Sequence, residues 1–276
     1  MGSKSRSAAI LATFAWSGLA QTQGPPTVMQ IIRETVKEGK AAAHERTEAE
    51  YVQAFRNAKS ESYYLAAASM SGTNEAWFFI GKPSFEAVEQ ARKKESQEPL
   101  KSALDLADAH DGALREGTRT LWAVYRPDMS YRAEKMSVGK MRYFSTAIYR
   151  VRLGHEADMM AGAKSILAAY EKASIDAVLL CYQVVAGAPA GTYLFFGPME
   201  TLKTMDGMQG RQAALREAMG RESLEKLMRG TGDVFLSMET QLFAVSPTMS
   251  YVGPETVDAD PAFWKPKAAA KPKPAP

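Results

Sequence analysis

One cysteine, Cys181, and three histidines, His44, His110 and His155, are all that this chain holds of the residues that most often ligate zinc or supply a thiol nucleophile. A single thiol cannot close a disulfide within the chain, so stability has to come from a packed core. Cys and His are too few for the familiar four-ligand zinc sites. No HExxH, CxxC, GxSxG, GxxxxGKS/T or GxGxxG string occurs, which removes the usual metalloprotease, redox, hydrolase and nucleotide signatures but does not exclude an enzyme. Neither sign of charge dominates: 34 Lys and Arg stand against 31 Asp and Glu, a formal +3. So balanced a surface argues against nucleic acid or an anionic membrane as partner.

The two ends differ from the body. MGSKSRSAAILATFAWSGLA has Lys4 and Arg6, an apolar run at 8–15, and small residues at Gly18 and Ala20. That is the pattern of a secretory signal peptide over 1–20, with the mature chain beginning at Gln21 and a short linker over 21–26. The apolar run is too short to span a bilayer. Loss of Lys4 and Arg6 lowers the formal charge from +3 by two, and the expected location is periplasmic or secreted. At the other end 253–276 is rich in Pro, Lys and Ala, closing on KPKAAAKPKPAP, and is expected to be a disordered, solvated tail.

Between the ends the chain repeats itself. LWAVYRPDMSY at 121–131 returns as LFAVSPTMSY at 242–251, and HDGALREGTRT before the first copy aligns with TGDVFLSMETQ before the second at an offset of 121. Earlier in each copy the offset is 115, placing Gly39 on Gly154, Gly72 on Gly187 and Pro83 on Pro198, with WFFIGKP matching YLFFGP. Ordered matches of this kind indicate an internal duplication.

Each copy reads as β-α-β-β-α-β. In the first, 28–36 is strand-like and rich in β-branched residues. Gly39 closes it, and 40–57 carries a helical apolar stripe. Strands at 63–71 and 75–80 flank a Gly-Thr-Asn turn, Pro83 and Ser84 open a helical region, and 118–125 is the last strand. In the second the strands fall at 143–152, 177–186, 192–196 and 235–245, with helices at 155–170 and 199–228. This order predicts an α+β fold of two tandem ferredoxin-like units, 27–132 and 140–252, joined by a linker over 133–139. With TVKEGK and RVRLGH leading into the first helix of each copy, the chain resembles the dimeric α/β-barrel superfamily, and within it the antibiotic-biosynthesis-monooxygenase-like and NIPSNAP-like domains. The resemblance implies an intrachain pseudo-dimeric barrel, a chemistry with no metal and no cofactor, a small apolar molecule as partner, and a monomer or weak dimer.

Candidate site residues are few. His44 heads the inner stripe of the first helix (44, 48, 51, 52, 55), where Met159 stands in the second copy. It is expected at the mouth of a cavity in the first unit as the acid–base or hydrogen-bonding group, although a core histidine bonded to a carbonyl explains it as well. Trp77, Trp122 and Tyr125, on strands, are expected to line that cavity; core packing is their other explanation. His110 and His155 would be the axial ligands if the chain followed the haem-binding branches of the superfamily, and neither lies in a recognisable motif. Three functions follow: a binder or cofactor-free oxidase for a small molecule, a haem protein, or a non-catalytic scaffold.

Overall fold

The computed structural model describes residues 24–265. In the first half β1 (Val28–Val36) leads into α1 (Ala41–Asn57), then β2 (Leu65–Ser69), β3 (Glu75–Lys82), α2 (Phe85–Glu95), α3 (Leu100–Asp111) and β4 (Arg115–Tyr125). In the second β5 (Tyr143–Val151) leads into α4 (Glu156–Lys172), β6 (Leu180–Ala186), β7 (Thr192–Met199), α5 (Lys203–Asp206), α6 (Met208–Met219), α7 (Arg221–Val234) and β8 (Phe235–Val245). Two short helices, α8 (Pro254–Ala259) and α9 (Pro261–Trp264), finish the described chain.

Local chemistry explains the breaks. Gly39 and Gly154 take φ of +71° and +89° where the chain turns from strand to helix, a region that side-chained residues enter only with strain. The Ser84 side chain accepts from the Ala87 N–H at 3.1 Å and starts α2. Pro99 then separates α2 from α3, because it supplies no N–H for a continuous ladder.

The strands close into an antiparallel barrel in the order β1-β3-β2-β8-β5-β7-β6-β4. Within the halves β1 pairs with β3 and β4, and β5 with β7 and β8. Two seams cross between the halves, β2 with β8 and β4 with β6. Closure leaves no sheet edge open, and strand alternation divides the side chains into an inner and an outer set. Ile31, Trp77, Leu121, Phe144, Leu194 and Phe243 fill the inside. There Phe144 and Phe243 stack at 5.0 Å, with Trp77 4.8 Å from Phe243. Outward-facing Ala66, Ala76 and Phe78 pack under α1 with Val52 and Tyr64, and Cys181, Tyr193 and Phe195 pack under α4 with Met159. Among the described residues no helix is long and apolar enough to cross a membrane.

The repeated PxMSY string stitches these seams. The Ser130 hydroxyl accepts from the Cys181 N–H, and the Ser250 hydroxyl from the Ala66 N–H, both at 2.9 Å. Tyr131 bridges to Leu179 and Tyr251 to Tyr64. Each half's closing turn therefore grips the second strand of the other half.

Five expectations need correction. The LWAV and LFAV strings do not occupy equivalent strand positions: Val28 faces Val124 while Tyr143 faces Ala244, an offset one short of the string match. Short apolar strings cannot fix register, and a one-residue slip exchanges inside for outside. Met199 closes β7 rather than opening a helix, and β4 begins three residues before the expected position, at Arg115. The stretch 253–265 is folded: Trp264 is buried and its indole N–H donates to the Gly139 carbonyl at 2.8 Å. The expected linker 133–139 holds a short 3-10 turn, and Gly139 in the next one is buried beneath Ala259. The signal-peptide reading over 1–20 and the last eleven residues lie outside the described residues.

Candidate functional site

Two features stand out, one inside the barrel and one outside it. The barrel interior is not filled at the end where β1, β2, β5 and β6 begin. A cavity of about 600 Å³ opens there, with Met29, Leu65 and Phe79 from the first half facing Phe144, Leu180 and Phe196 from the second. The Tyr182 hydroxyl donates to the Pro26 carbonyl at 3.1 Å, and burial pushes its ionisation far up, so it stays a neutral phenol. Lys82 is at the rim with Glu61 and Glu255; burial lowers its ammonium pKa, and it donates to the Ser62 hydroxyl at 3.3 Å. The opposite end of the barrel is plugged by charge: Arg33 reaches both carboxylate oxygens of Glu75 at 3.0 and 2.8 Å and lies 4.4 Å over Trp77.

The second feature lies between α1 and the outer face of the sheet. On α1, positions 44, 48 and 52 recur every fourth residue and are buried, so His44 and Glu48 point into the helix–sheet interface with Val52. β1 brings Glu34, the end of α3 brings Asp111, and the start of β4 brings Arg115. His44 Nδ1 lies 2.7 Å from Asp111 Oδ1, which also accepts from the Thr47 hydroxyl at 2.5 Å. A charged carboxylate can only accept, so Nδ1 carries the proton and Nε2 is left to face Glu34. Arg115 donates to Glu34 Oε1 at 2.7 Å and to Asp108 at 2.6 Å. Its Nε also pairs ionically with Asp111 Oδ2 at 2.8 Å, although the N–H direction makes no hydrogen bond.

The charges do not settle alike. Burial raises Glu34, against the opposing pull of Arg115 and His44. Glu48 is pushed from an ordinary 4.5 up to about 9, first by burial and then by the charges of Glu34 and Asp111. Burial works against the charged form of Asp111 as well, but the bonds from His44 and Thr47 outweigh it and hold the pKa below the ordinary value. One nitrogen and three carboxylates, each offering one ligand atom, thus lie within 4.8 Å of one another, an arrangement able to hold a proton or a metal ion.

The structure does not gather the four expected site residues. His44 is in this outer cluster, its ring edge-on to Phe78 at 6.5 Å. Trp77 is fully buried in the inner core, with its N–H donating to Glu75 at 2.7 Å. Trp122 lies between inner Leu121 and Ala123 on β4 and packs outward on Phe85, 6.1 Å away. Tyr125 meets Tyr182 at 5.4 Å near the β4–β6 seam. None of the four lines the cavity, and the cavity draws on both halves rather than on the first alone, because the barrel's inner face is shared. The other two histidines are at the surface beside carboxylates: His110 Nδ1 lies 2.7 Å from Glu50 and His155 Nδ1 2.9 Å from Asp158. Glu34, Asp111 and Arg115 were missed, since only the folded topology brings them to His44.

No protein-family model matches the chain, and no curated protein does. Solved structures do. A provisionally named monooxygenase from Fusobacterium nucleatum is similar over 80% of this chain and 93% of its own, with a TM-score of 0.51 at 10% identity. One from Lactobacillus acidophilus gives 0.49 at 7% identity, covering 80% and 94%. A chlorite dismutase mutant from Candidatus Nitrospira defluvii gives 0.47 at 11% identity, covering 84% and 95%. The likeness to the Fusobacterium protein is one of fold.

Proposed function

We propose that the chain is an exported protein built from two copies of a ferredoxin-like unit, and that it binds a small, largely apolar organic molecule in the open end of its barrel. The observation that carries the binding is the cavity: about 600 Å³, walled by Met29, Leu65, Phe79, Phe144, Leu180 and Phe196, within the size range of small-molecule sites and lined as they are. Tyr182 and Lys82 are the polar groups placed to orient a ligand. Duplication is supported by the matching strand pairings of the halves and by the reciprocal grips of Ser130 and Ser250. Export rests on the pattern of residues 1–20. Both seams close within one chain, in keeping with a monomer or weak dimer.

Oxygenation of the bound molecule by dioxygen is the activity in line with the name of the Fusobacterium neighbour; that it needs no cofactor is part of this proposal. A haem reading is less favoured, since no imidazole lines this cavity. Native mass spectrometry against a panel of polycyclic aromatic and fatty probes tests the site. One-to-one complexes are expected, and Met29→Trp, which fills the cavity from β1, is expected to weaken them at least about tenfold while His44→Ala does not. Equal affinity in Met29→Trp and the native chain would sink the assignment.

A further inference from the structure

Three carboxylates and one guanidinium meet in the buried cluster beneath α1. Three of its atoms are also without a hydrogen-bond partner: Asp111 Oδ2, which pairs ionically with Arg115, and His44 Nε2 and Glu34 Oε2, on side chains 3% and 8% exposed. His44 Nε2 and Glu34 Oε2 face each other at 3.6 Å. That is too long for a good hydrogen bond. It is close to what a bound ion requires, because ligand bonds of about 2.0–2.2 Å set two ligands of a tetrahedral zinc about 3.3–3.5 Å apart.

We propose that Glu34, His44 and Glu48 bind one divalent transition-metal ion of the zinc type between α1 and β1. Asp111 is the positioning residue: its bond to Nδ1 fixes the ring and leaves Nε2 free to ligate, as carboxylates commonly do behind a metal-bound imidazole. Two carboxylate ligands neutralise the dication, while the charges of Asp111 and Arg115 cancel one another. An imidazole among the donors selects against magnesium and calcium, which take oxygen. The candidate ligand atoms lie within 4.8 Å of one another, so the widest pair has to close by up to about 1 Å to reach the roughly 3.3–3.5 Å of tetrahedral ligands. Long Glu side chains can make that adjustment. Such an ion would tie β1 to α1 and lies outside the barrel cavity, so it is independent of the small-molecule site.

The full-length chain, stripped with EDTA and titrated with zinc sulfate, tests this by calorimetry and thermal melting. One zinc per chain and a raised Tm are expected. Glu34→Gln and Glu48→Gln should each lose stoichiometric binding, Asp111→Asn should weaken it about 10–100-fold, and the exposed pair His110→Ala and His155→Ala should leave it intact. X-ray absorption of the native zinc complex needs no variant: it should show one imidazole, oxygen donors and no sulfur. No response of the native chain to excess zinc, a one-to-one complex that survives in both Gln variants, or a spectrum with two imidazoles overturns the proposal.

Discussion

The interface of α1 with the sheet and that of α4 with the sheet are built to the same dimensions from different chemistry. Both helices have 17 residues and both leading strands nine. At the fourth and eighth positions α1 has His44 and Glu48, whereas α4 has Met159 and Ala163. The seventh residue of β1 is Glu34 and that of β5 is Tyr149; β4 opens with Arg115 and β8 with Phe235. Under α4 the space is taken by Met159, Cys181, Tyr193 and Phe195. The fold thus needs no buried charge to seat this helix. Burying charge is costly even when it is paired, so the cluster under α1 is a costlier way to seat a helix than the apolar set under α4.

That contrast can be broken at several points. The largest effect is expected from Arg115→Leu, which leaves Glu34 and Asp111 buried without their cation and should cost about 3–5 kcal/mol, read as a fall in Tm. Met159→Ala follows: it opens a hole in a wholly apolar cluster, and a cost of about 2–5 kcal/mol is expected from urea titration. Per pH unit, a smaller effect is tied to Glu48. The folded value of Glu48, about 9, lies above its ordinary 4.5, so the protonated form favours folding. Its contribution is whole below pH 4.5 and is lost as pH rises toward 9, at no more than about 1.4 kcal/mol per pH unit. In metal-free protein Glu48→Gln should flatten that part of the stability profile; an unchanged slope would show that Glu48 is not the group responsible. The smallest change is expected from giving α1 the residues of α4. His44→Met with Glu48→Ala should leave the Tm of metal-free protein level or slightly raised, because well-packed apolar replacements of buried ionic groups are often neutral or better. A loss comparable to that of Met159→Ala would mean that the charges are structural after all.

How much of this could be read beforehand depends on the range of the interaction. β1 was legible to the residue, since β-branched content ends at Val36 and Gly39 follows. His44 and Glu48 could be placed on one buried stripe from helical spacing alone. Their partners could not, because Asp111 is 67 positions from His44 and Arg115 is 81 from Glu34, and one sequence carries no signal for such contacts. The aromatics failed for a different reason. Trp77 and Trp122 were treated as one set, yet alternation sends Trp77 into the barrel and Trp122 out of it. Cavity walls went unread because they are made by strands of both halves meeting, and α9 was hidden by the lysines and prolines around Trp264.

The reciprocal grips of Ser130 and Ser250 bear on how the protein is made. A ribosome delivers the first half with β2 and β4 complete, but their outer edges have no strand to bond until β6 and β8 emerge. Unpaired edges of that kind invite pairing with other chains. The first half must therefore wait, and the last residues needed to release it from waiting are Ser250 and Tyr251, close to the end of the described chain. Synthesis stopped before β8 yields no smaller working version of the protein, only an open sheet.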